Sequence, residues 1–554
     1  MPPFPIKVKH AGKTYDVSDF DPSAPATVFK SQIHQLTGVD PAKVKVVVKG
    51  GMLKDDADMN KLGFKAGQTI MVIGPAGPIP QAPPKPIVFM EDMSDAELAQ
   101  AAQYPVGLQN LGNTCYMNST VQVLRAIPEL QSALNSSQSA APQPDVQLTR
   151  SLRDLYQDMG RTTEGFPPFA FLNMLRQFAP QFAERSRQTG QYAQQDAQEA
   201  WGAIVQAAKS SLSSSSAVGG GEAAESGRFV ERYLMGELEK TLKSAEAPDE
   251  PATTTREPFL ELKCNIGGST NYMLQGLSEA MEQDIEKTSP TLGREAVYRE
   301  TTRVARLPSY LTVNMVRFYW RRDISKKTKI MRKVKFPFDL DAIDLVSDEL
   351  KKKILPVNER LKDIEKERRE RAKARRKSKK QQAEAAAASS TSSTPASAAA
   401  ERQTPTDDPP ERMLVDGELP DEHAARQTEL ATLLSLVHPD LEADPGANAS
   451  GLYELVGVVS HKGASADGDK SPFLPFLFAD SSRAHSPPPP PPPFLLIPRA
   501  SPFDDEDVDP DQQQWYKFDD DKVSLVSRDK ILALEGGGED HCAYILLYKS
   551  KSLA

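Results

Sequence analysis

A cysteine acts as a nucleophile where its thiolate is favoured and a donor for the developing oxyanion stands within reach. One stretch of this chain offers both. The run Gly107-Leu108-Gln109-Asn110-Leu111-Gly112-Asn113-Thr114-Cys115-Tyr116-Met117-Asn118-Ser119 leads into Met117, Val121 and Leu124. That i, i+4, i+7 spacing predicts a helix. Cys115 then falls in the first turn, where exposed backbone N–H groups and the positive end of the helix dipole favour thiolate over thiol. Asn113 is the expected N-cap. Asn110, across a Gly-containing turn, can fold back to offer its side-chain amide to an oxyanion beside the backbone N–H of Cys115. A buried cysteine capping a helix is the better reading of a lone cysteine, and the poorer one for these thirteen residues.

The rest of the chain must position that thiol. Its 554 residues leave room for several folded units, and 67 Lys plus Arg against 76 Asp plus Glu give a net charge of −9. Three cysteines, Cys115, Cys264 and Cys542, are too few and too scattered for a disulfide framework or a CxxC zinc site, so no metal or cofactor is expected. Cys264, in the strand-like Leu260 to Ile266, and Cys542, beside the final strand, read as buried small residues. No window approaches a membrane span, and Met1-Pro2-Pro3-Phe4-Pro5 has neither a basic nor an apolar leader region; the expectation is a soluble intracellular protein with no membrane partner.

Residues 1–74 form a unit of their own. Ile6 and Val8 alternate with lysines, a turn follows at His10 to Lys13, and Tyr15 and Val17 resume the alternation, as in a hairpin. Phe29, Ile33 and Leu36 then give a helix that Gly38 stops, followed by strands at Val44 to Val48 and Thr69 to Ile73. Two strands, a helix and two more strands resemble ubiquitin. Gly74 leads into Pro75 with no free Gly-Gly end, so the resemblance implies an integral docking domain. Residues 75–103 read as a linker, with six prolines in 75–86. A large unit follows over 104–550, interrupted by an insertion at about 358–445 that is expected to be disordered. Within it, 365–380 carries ten Lys or Arg and three Glu; without interleaved aromatics this favours a solvated tether over a nucleic-acid site.

The wording around Cys115 closely resembles the cysteine box of the ubiquitin-specific proteases. Matching segments continue at Gln194-Gln195-Asp196-Ala197-Gln198-Glu199, at Leu307 to Leu311 leading into the strand Thr312 to Phe318, at Lys335-Phe336-Pro337, at Tyr453 to Val459, at Trp515 to Val523, and at Ala543 to Tyr548. With the N-terminal unit, the whole is similar to the proteasome-associated type of that family. The resemblance implies an α+β chain: a β-grasp ubiquitin-like domain, then a papain-like cysteine peptidase domain with palm, thumb and fingers. It implies hydrolysis at the C-terminal glycine of ubiquitin, with Cys115 as nucleophile, Asn110 as oxyanion donor, Asp519 orienting a histidine, and Asp520 beside it as a second polar contact. Gln195 and Asp196 would line the groove for ubiquitin's tail. The implied partners are ubiquitin, polyubiquitinated proteins and, through residues 1–74, the proteasome regulatory particle. The implied location is the cytoplasm, with the nucleus as a second compartment.

The family pattern breaks where its catalytic histidine belongs. Gly457 to Gly468 has the expected wording, but Asp469 and Lys470 stand at the histidine's place, and the anomalous Pro-rich stretch 469–513, with seven prolines at 487–493, runs on until Trp515. His461 lies too early, His485 sits in Ser/Pro-rich sequence, and His541 lies near the last strand; none takes the role on sequence grounds. Because 469–513 lacks alternation and turn chemistry, no strand is expected there. Either the chain is a catalytically impaired ubiquitin-binding regulator, or non-coding sequence has replaced a short exon, which the abrupt change of composition favours. The transcript across codons 465–516 separates the two.

Overall fold

The computed structural model describes residues 3–41, 43–49, 51–55, 57–74, 93–102, 105–137, 141–186, 190–213, 228–321, 326–390, 422–462, 473–479, 514–538 and 541–553. The chain divides into two compact units, 1–92 and 93–554.

The first unit has strands β1 (Phe4–His10) and β2 (Lys13–Phe20), helix α1 (Ala26–Thr37), then β3 (Lys45–Val48), β4 (Gly51–Met52) and β5 (Thr69–Ile73). The sheet order is β2-β1-β5-β3-β4, with β1 and β5 parallel and the other pairs antiparallel. This is the β-grasp arrangement that the resemblance to ubiquitin implied. Phe29 and Ile33 of α1 are buried with Ile6, Val8, Val46 and Ile70 of the sheet. Gly38 ends α1 in the left-handed region, φ 72°, where a glycine carries no Cβ penalty.

The second unit opens with α2 (Asp95–Ala102), inside the stretch expected to be linker. The signal was present. Ser94 and Glu97 exchange bonds in a capping box, and Asp95 accepts from the Thr163 backbone, tying α2 to this unit. Helices α3 (Cys115–Arg125), α4 (Pro128–Ser136), α5 (Pro144–Met159), α6 (Phe169–Phe178) and α7 (Ala197–Ser213) then pack into one core.

After the helices come β6 (Gly236–Ser244), β7 (Thr253–Phe259), β8 (Leu262–Asn265), α8 (Met273–Ala280), β9 (Glu282–Thr288), β10 (Glu295–Arg306), β11 (Tyr310–Val316), β12 (Phe318–Arg321), β13 (Lys326–Lys329) and β14 (Asp339–Asp341). The chain continues with α9 (Asp348–Ser390), α10 (Glu422–Leu436), α11 (Pro439–Glu442), β15 (Leu452–His461), β16 (Phe473–Ala479), β17 (Gln514–Asp519), β18 (Lys522–Ser527), α12 (Arg528–Leu532) and β19 (Cys542–Ser550). An eight-stranded sheet runs β18-β17-β16-β15-β19-β11-β8, with β14 also on β15, and a separate four-stranded sheet runs β7-β6-β10-β9. Core lies on both faces of the larger sheet. Val459, Ile545 and Leu547 join the helical core, whereas Leu455, Val458, Leu546 and Trp515 join a second core with Leu340 and Ile354. Helices on a central sheet with an antiparallel extension form the papain-like thumb, palm and fingers expected.

Two expectations are corrected. The insertion expected to be disordered over about 358–445 is helical in α9 and α10; residues 391–421 lie outside the described residues. Val357, Leu361 and Ile364 at i, i+4, i+7 bury against Leu433 and Leu452, which supplies the apolar area the charge-rich composition hid. Three arginines of the basic run are spent on α10: Arg368 meets Glu429 at 2.7 Å, Arg371 meets Glu429 at 2.6 Å and Glu422 at 3.0 Å, and Arg375 meets Glu422 at 2.5 Å. Burial alone would raise the Glu422 carboxyl, but Arg371, Arg375 and Arg426 hold it down to about 2.

The second correction is β16. It lies within the stretch where no strand was expected, yet it pairs with β15 through His461↔Phe473 to Gly457↔Leu477 and with β17 through Phe476↔Lys517 to Ala479↔Gln514. A gap between β15 and β17 would leave two rows of backbone donors and acceptors unpaired inside a sheet. Phe473-Leu474-Pro475-Phe476-Leu477-Phe478-Ala479 closes it at the cost of the one donor that Pro475 lacks.

Candidate active site

Cys115 opens α3 and is 4 % exposed. The helix forms as the spacing predicted, and every residue from Cys115 to Leu124 is buried. Several of its polar side chains donate to backbone carbonyls, while Asn118 Oδ1 and Gln122 Oε1 are buried without a hydrogen bond among the described residues. Ser119 and Thr120 donate to the Tyr116 carbonyl, and Gln122 donates to the Val106 carbonyl at 2.8 Å. This fixes the thiol's helix as a central rod.

The expected N-cap is displaced by one residue. Thr114 takes the cap position without a side-chain capping bond, while Asn113 sits in the left-handed region at φ 54°. Its amide donates to the Tyr192 carbonyl at 3.0 Å. The Tyr192 ring is itself held by two guanidinium groups, Arg176 at 3.4 Å and Arg185 at 4.8 Å from its centroid. Left-handed backbone at a non-glycine residue costs of order 1–3 kcal/mol, and the Tyr192 anchor offsets part of it.

Asn110 folds back toward the helix as its position predicted. Its Oδ1 accepts from the backbone N–H groups of Gly112 at 3.0 Å and Thr114 at 3.3 Å, which closes the turn before the cysteine. Its Nδ2 donates to Asp520 Oδ2 at 2.9 Å. An amide nitrogen carries two hydrogens, so one remains for an acceptor in the cleft.

Asp520 is the hub of this arrangement. Its Oδ1 accepts from Asn118 Nδ2 at 2.9 Å, and its carbonyl accepts from the Leu108 N–H at 3.0 Å. Asn118, one turn beyond Cys115, also donates to the Leu108 and Gln109 carbonyls, both at 3.2 Å. Burial pushes the Asp520 carboxyl above its ordinary value, against the two amide bonds that favour its charge. Asp520 occupies left-handed backbone, φ 53°, in the turn between β17 and β18, and this turn docks on Gly107. A Cβ at Gly107 would lie 2.5 Å from the Asp520 and Asp521 carbonyl oxygens, so only glycine permits the approach.

The other candidates have different surroundings. Asp519 is exposed and meets Lys517 at 3.4 Å. Gln195 donates to the Gln181 carbonyl at 2.9 Å. Asp196 caps α7, accepting from the Gln198 N–H at 2.8 Å, and both its oxygens lie within 2.8 Å of the Tyr544 hydroxyl. The residue of this segment that reaches the sulfur is Gln194, whose Nε2 donates to Cys115 Sγ at 3.2 Å. Neither Gln194 nor Asn118 was singled out in the sequence. The Asn118 signal was available, since residues i and i+3 share a helix face; Gln194 carried only its adjacency to the matched motif.

No described histidine is bonded to the sulfur by a contact of the kind Gln194 makes. His461 is 2 % exposed, its ring edge-on to Phe318, and burial, with Lys329 and His541, pushes it down to about 3. His541 Nδ1 lies 3.2 Å from Ser460 Oγ, and burial with nearby lysines pushes it down to about 4, against the pull of Asp519. Asp469, Lys470 and His485 lie outside the described residues. Strands β16 and β15 both lie against α3; the seven residues of β16 include no ionisable side chain. Among the described residues no group of three His, Cys, Asp or Glu could hold a metal, and no helix is long and apolar enough to cross a membrane.

Comparison with known proteins follows the same two units. The family model described as ubiquitin carboxyl-terminal hydrolase matches residues 106–548, and the ubiquitin family model matches residues 6–75. The chain is 39 % identical over 553 residues to ubiquitin carboxyl-terminal hydrolase 6 of Schizosaccharomyces pombe, covering 99 % of each. It is 34 % identical to ubiquitin carboxyl-terminal hydrolase 6 of Arabidopsis thaliana, covering 99 % of this chain and 98 % of that one. Against ubiquitin carboxyl-terminal hydrolase 14 of Caenorhabditis elegans the identity is 30 %, with 99 % and 93 % covered. A solved structure of the SAGA Ubp8/Sgf11/Sus1/Sgf73 DUB module bound to ubiquitin aldehyde aligns at 16 % identity and TM-score 0.45, over 82 % of this chain and 71 % of that one.

Proposed function

Because the chain belongs to the ubiquitin carboxyl-terminal hydrolase family of cysteine-protease deubiquitinases, we propose that it removes ubiquitin from proteasome-bound conjugates, with Cys115 as the nucleophile. The observation that supports this reading is the bonded set at the amino end of α3, where Asp520 accepts from Asn110, five residues before Cys115, and from Asn118, three residues after it. The Cys115 thiolate attacks the carbonyl carbon of ubiquitin's C-terminal glycine. The second N–H of Asn110 and the backbone N–H of Cys115, at the first turn of α3, receive the oxyanion. The amine of lysine or of a peptide leaves with a proton, and water then clears the acyl-enzyme. Gln195, Asp196 and Asp519 keep their proposed roles at the tail groove and beside the base. Residues 1–74 serve as the dock on the proteasome regulatory particle, supported by the ubiquitin family match over 6–75. Action in the cytoplasm, at the proteasome, belongs to the same proposal.

One observation favours a second reading, a catalytically impaired ubiquitin-binding regulator: β16 lies against α3 and brings no ionisable residue. Hydrolysis of a fluorogenic ubiquitin C-terminal amide by the full chain, with and without purified proteasome and with Cys115→Ala as control, decides between them. The expected result is turnover that Cys115→Ala abolishes. Absence of any Cys115-dependent turnover in both conditions leaves the regulator.

A further inference from the structure

We propose that Gln194 is a catalytic residue of this site: its side-chain amide donates a hydrogen bond to Cys115 Sγ and stabilises the thiolate. The inference rests on Cys115 being the nucleophile. It concerns how the sulfur is ionised and not what it cleaves.

The geometry has three parts. The first is contact: Gln194 Nε2 lies 3.2 Å from Sγ, within hydrogen-bond reach of sulfur. Rotating the amide would set Oε1 against a sulfur that carries negative charge, so the donating orientation is the one a thiolate selects. The second is pre-organisation of the donor. On one side of Gln194, the Ala193 N–H is bonded to the Glu184 carbonyl at 2.9 Å, and the Tyr192 carbonyl is held by Asn113 at 3.0 Å. On the other side, Gln195 is bonded to Gln181, Asp196 caps α7, and the Ala197 carbonyl accepts from Thr120 of α3 at 3.2 Å. A donor whose backbone is fixed on both flanks needs little reorganisation when charge appears on sulfur. The third is reciprocity. Asn113 holds Tyr192 while Gln194 reaches Cys115, so the two segments register each other at both ends.

A neutral donor differs from an imidazole in what it can do. It raises the thiolate fraction without taking a proton, so it supports attack and gives no help to a departing amine. Stabilising a thiolate also makes it intrinsically less nucleophilic, with a Brønsted slope of about 0.4–0.5. Losing enough stabilisation to move the ionisation mid-point up by about one pH unit therefore cuts the thiolate fraction about tenfold below the mid-point while making each thiolate about threefold more reactive. The net is a rate about threefold slower below the mid-point and about threefold faster above it. That crossing distinguishes a charge-stabilising donor from a packing residue.

The test is the pH profile of Cys115 alkylation by iodoacetamide in the folded full chain, read on the Cys115 peptide by mass spectrometry. Cys264 and Cys542, 0 % and 1 % exposed, report unfolding. In Gln194→Leu the mid-point is expected to rise by about one pH unit, with the two profiles crossing. In the isosteric Gln194→Glu the ionised carboxylate is expected to raise it further. An unmoved mid-point, or slowing by the same factor at every pH, overturns the proposal. If Gln194→Leu exposes Cys264 and Cys542, Gln194→Glu alone decides by the same criterion. Ubiquitin turnover does not enter the readout, so this inference and the proposed function fail separately.

Discussion

At the amino end of α3, Asp520 links Asn110 and Asn118 through bonds of 2.9 Å, and the turn carrying Asp520 presses onto Gly107 where a Cβ would come within 2.5 Å of two carbonyl oxygens. On the sheet side of the same helix, β16 supplies a hydrogen-bonded backbone between β15 and β17 and no group that can exchange a proton. The first region retains a thiol and an amide with one hydrogen to spare. The second retains only architecture. A sheet can be completed by any sequence with enough apolar β-formers, because its ladder is made of backbone; an acid–base group cannot be supplied that way.

The sharpest way to break this contrast is to remove the thiol. Cys115→Ala is expected to reduce hydrolysis of a ubiquitin C-terminal amide to background, with melting temperature nearly unchanged. The next is to give the sheet side what it lacks. His461↔Phe473 is a paired position of β15 and β16, at the first residue of β16, and β16 lies against α3. Phe473→His is therefore expected to raise Cys115-dependent turnover about a hundredfold, the low end of what a positioned general acid–base contributes, in steady-state kinetics. An unchanged rate would show that this position does not reach the sulfur.

Smaller effects probe the helical side. Asp520→Ala releases Asn110 and Asn118 together, and a loss of about tenfold to a hundredfold in kcat with little change in KM is expected. Gly107→Ala, which pushes the Asp520 turn away without altering a polar group, should reproduce most of that loss; a full-speed variant would separate the turn's position from the chemistry. The smallest effect is on stability. His461, held neutral by burial near Phe318 and pushed down to about 3, takes up its proton more readily unfolded, where its value is 6.5. Its contribution is fully present above pH 6.5 and is lost as the pH falls toward 3, by about 1.4 kcal/mol per unit. Chemical denaturation between pH 6.5 and 5 should show that slope, reduced in His461→Gln.

Much of this was legible beforehand. The alternation and helix spacing of residues 1–74 gave the β-grasp unit because a small domain buries one face of each element and the pattern is local. The Gly-Asn-Thr-Cys wording placed Cys115 at a helix start, and Asn110 where its amide closes the turn. Composition misled in two places. The Lys/Arg-rich run concealed the i, i+4, i+7 stripe of Val357, Leu361 and Ile364, and the Pro- and Phe-rich stretch concealed a strand, since β16 is defined by the partners on either side.

What the sequence by itself determined is the chemistry on offer: a thiol at a helix amino end, an amide five residues before it, acids after Phe518, and no histidine where one was due. What only the tertiary structure decided is which groups meet. Asp520 bonds Asn110 across 410 positions of sequence, Asn118 joins them from the helix itself, and Gln194 arrives at the sulfur from 79 residues away. No periodicity encodes such encounters, because they follow from the packing of a buried helix against a sheet end and a loop, each held by bonds to the others.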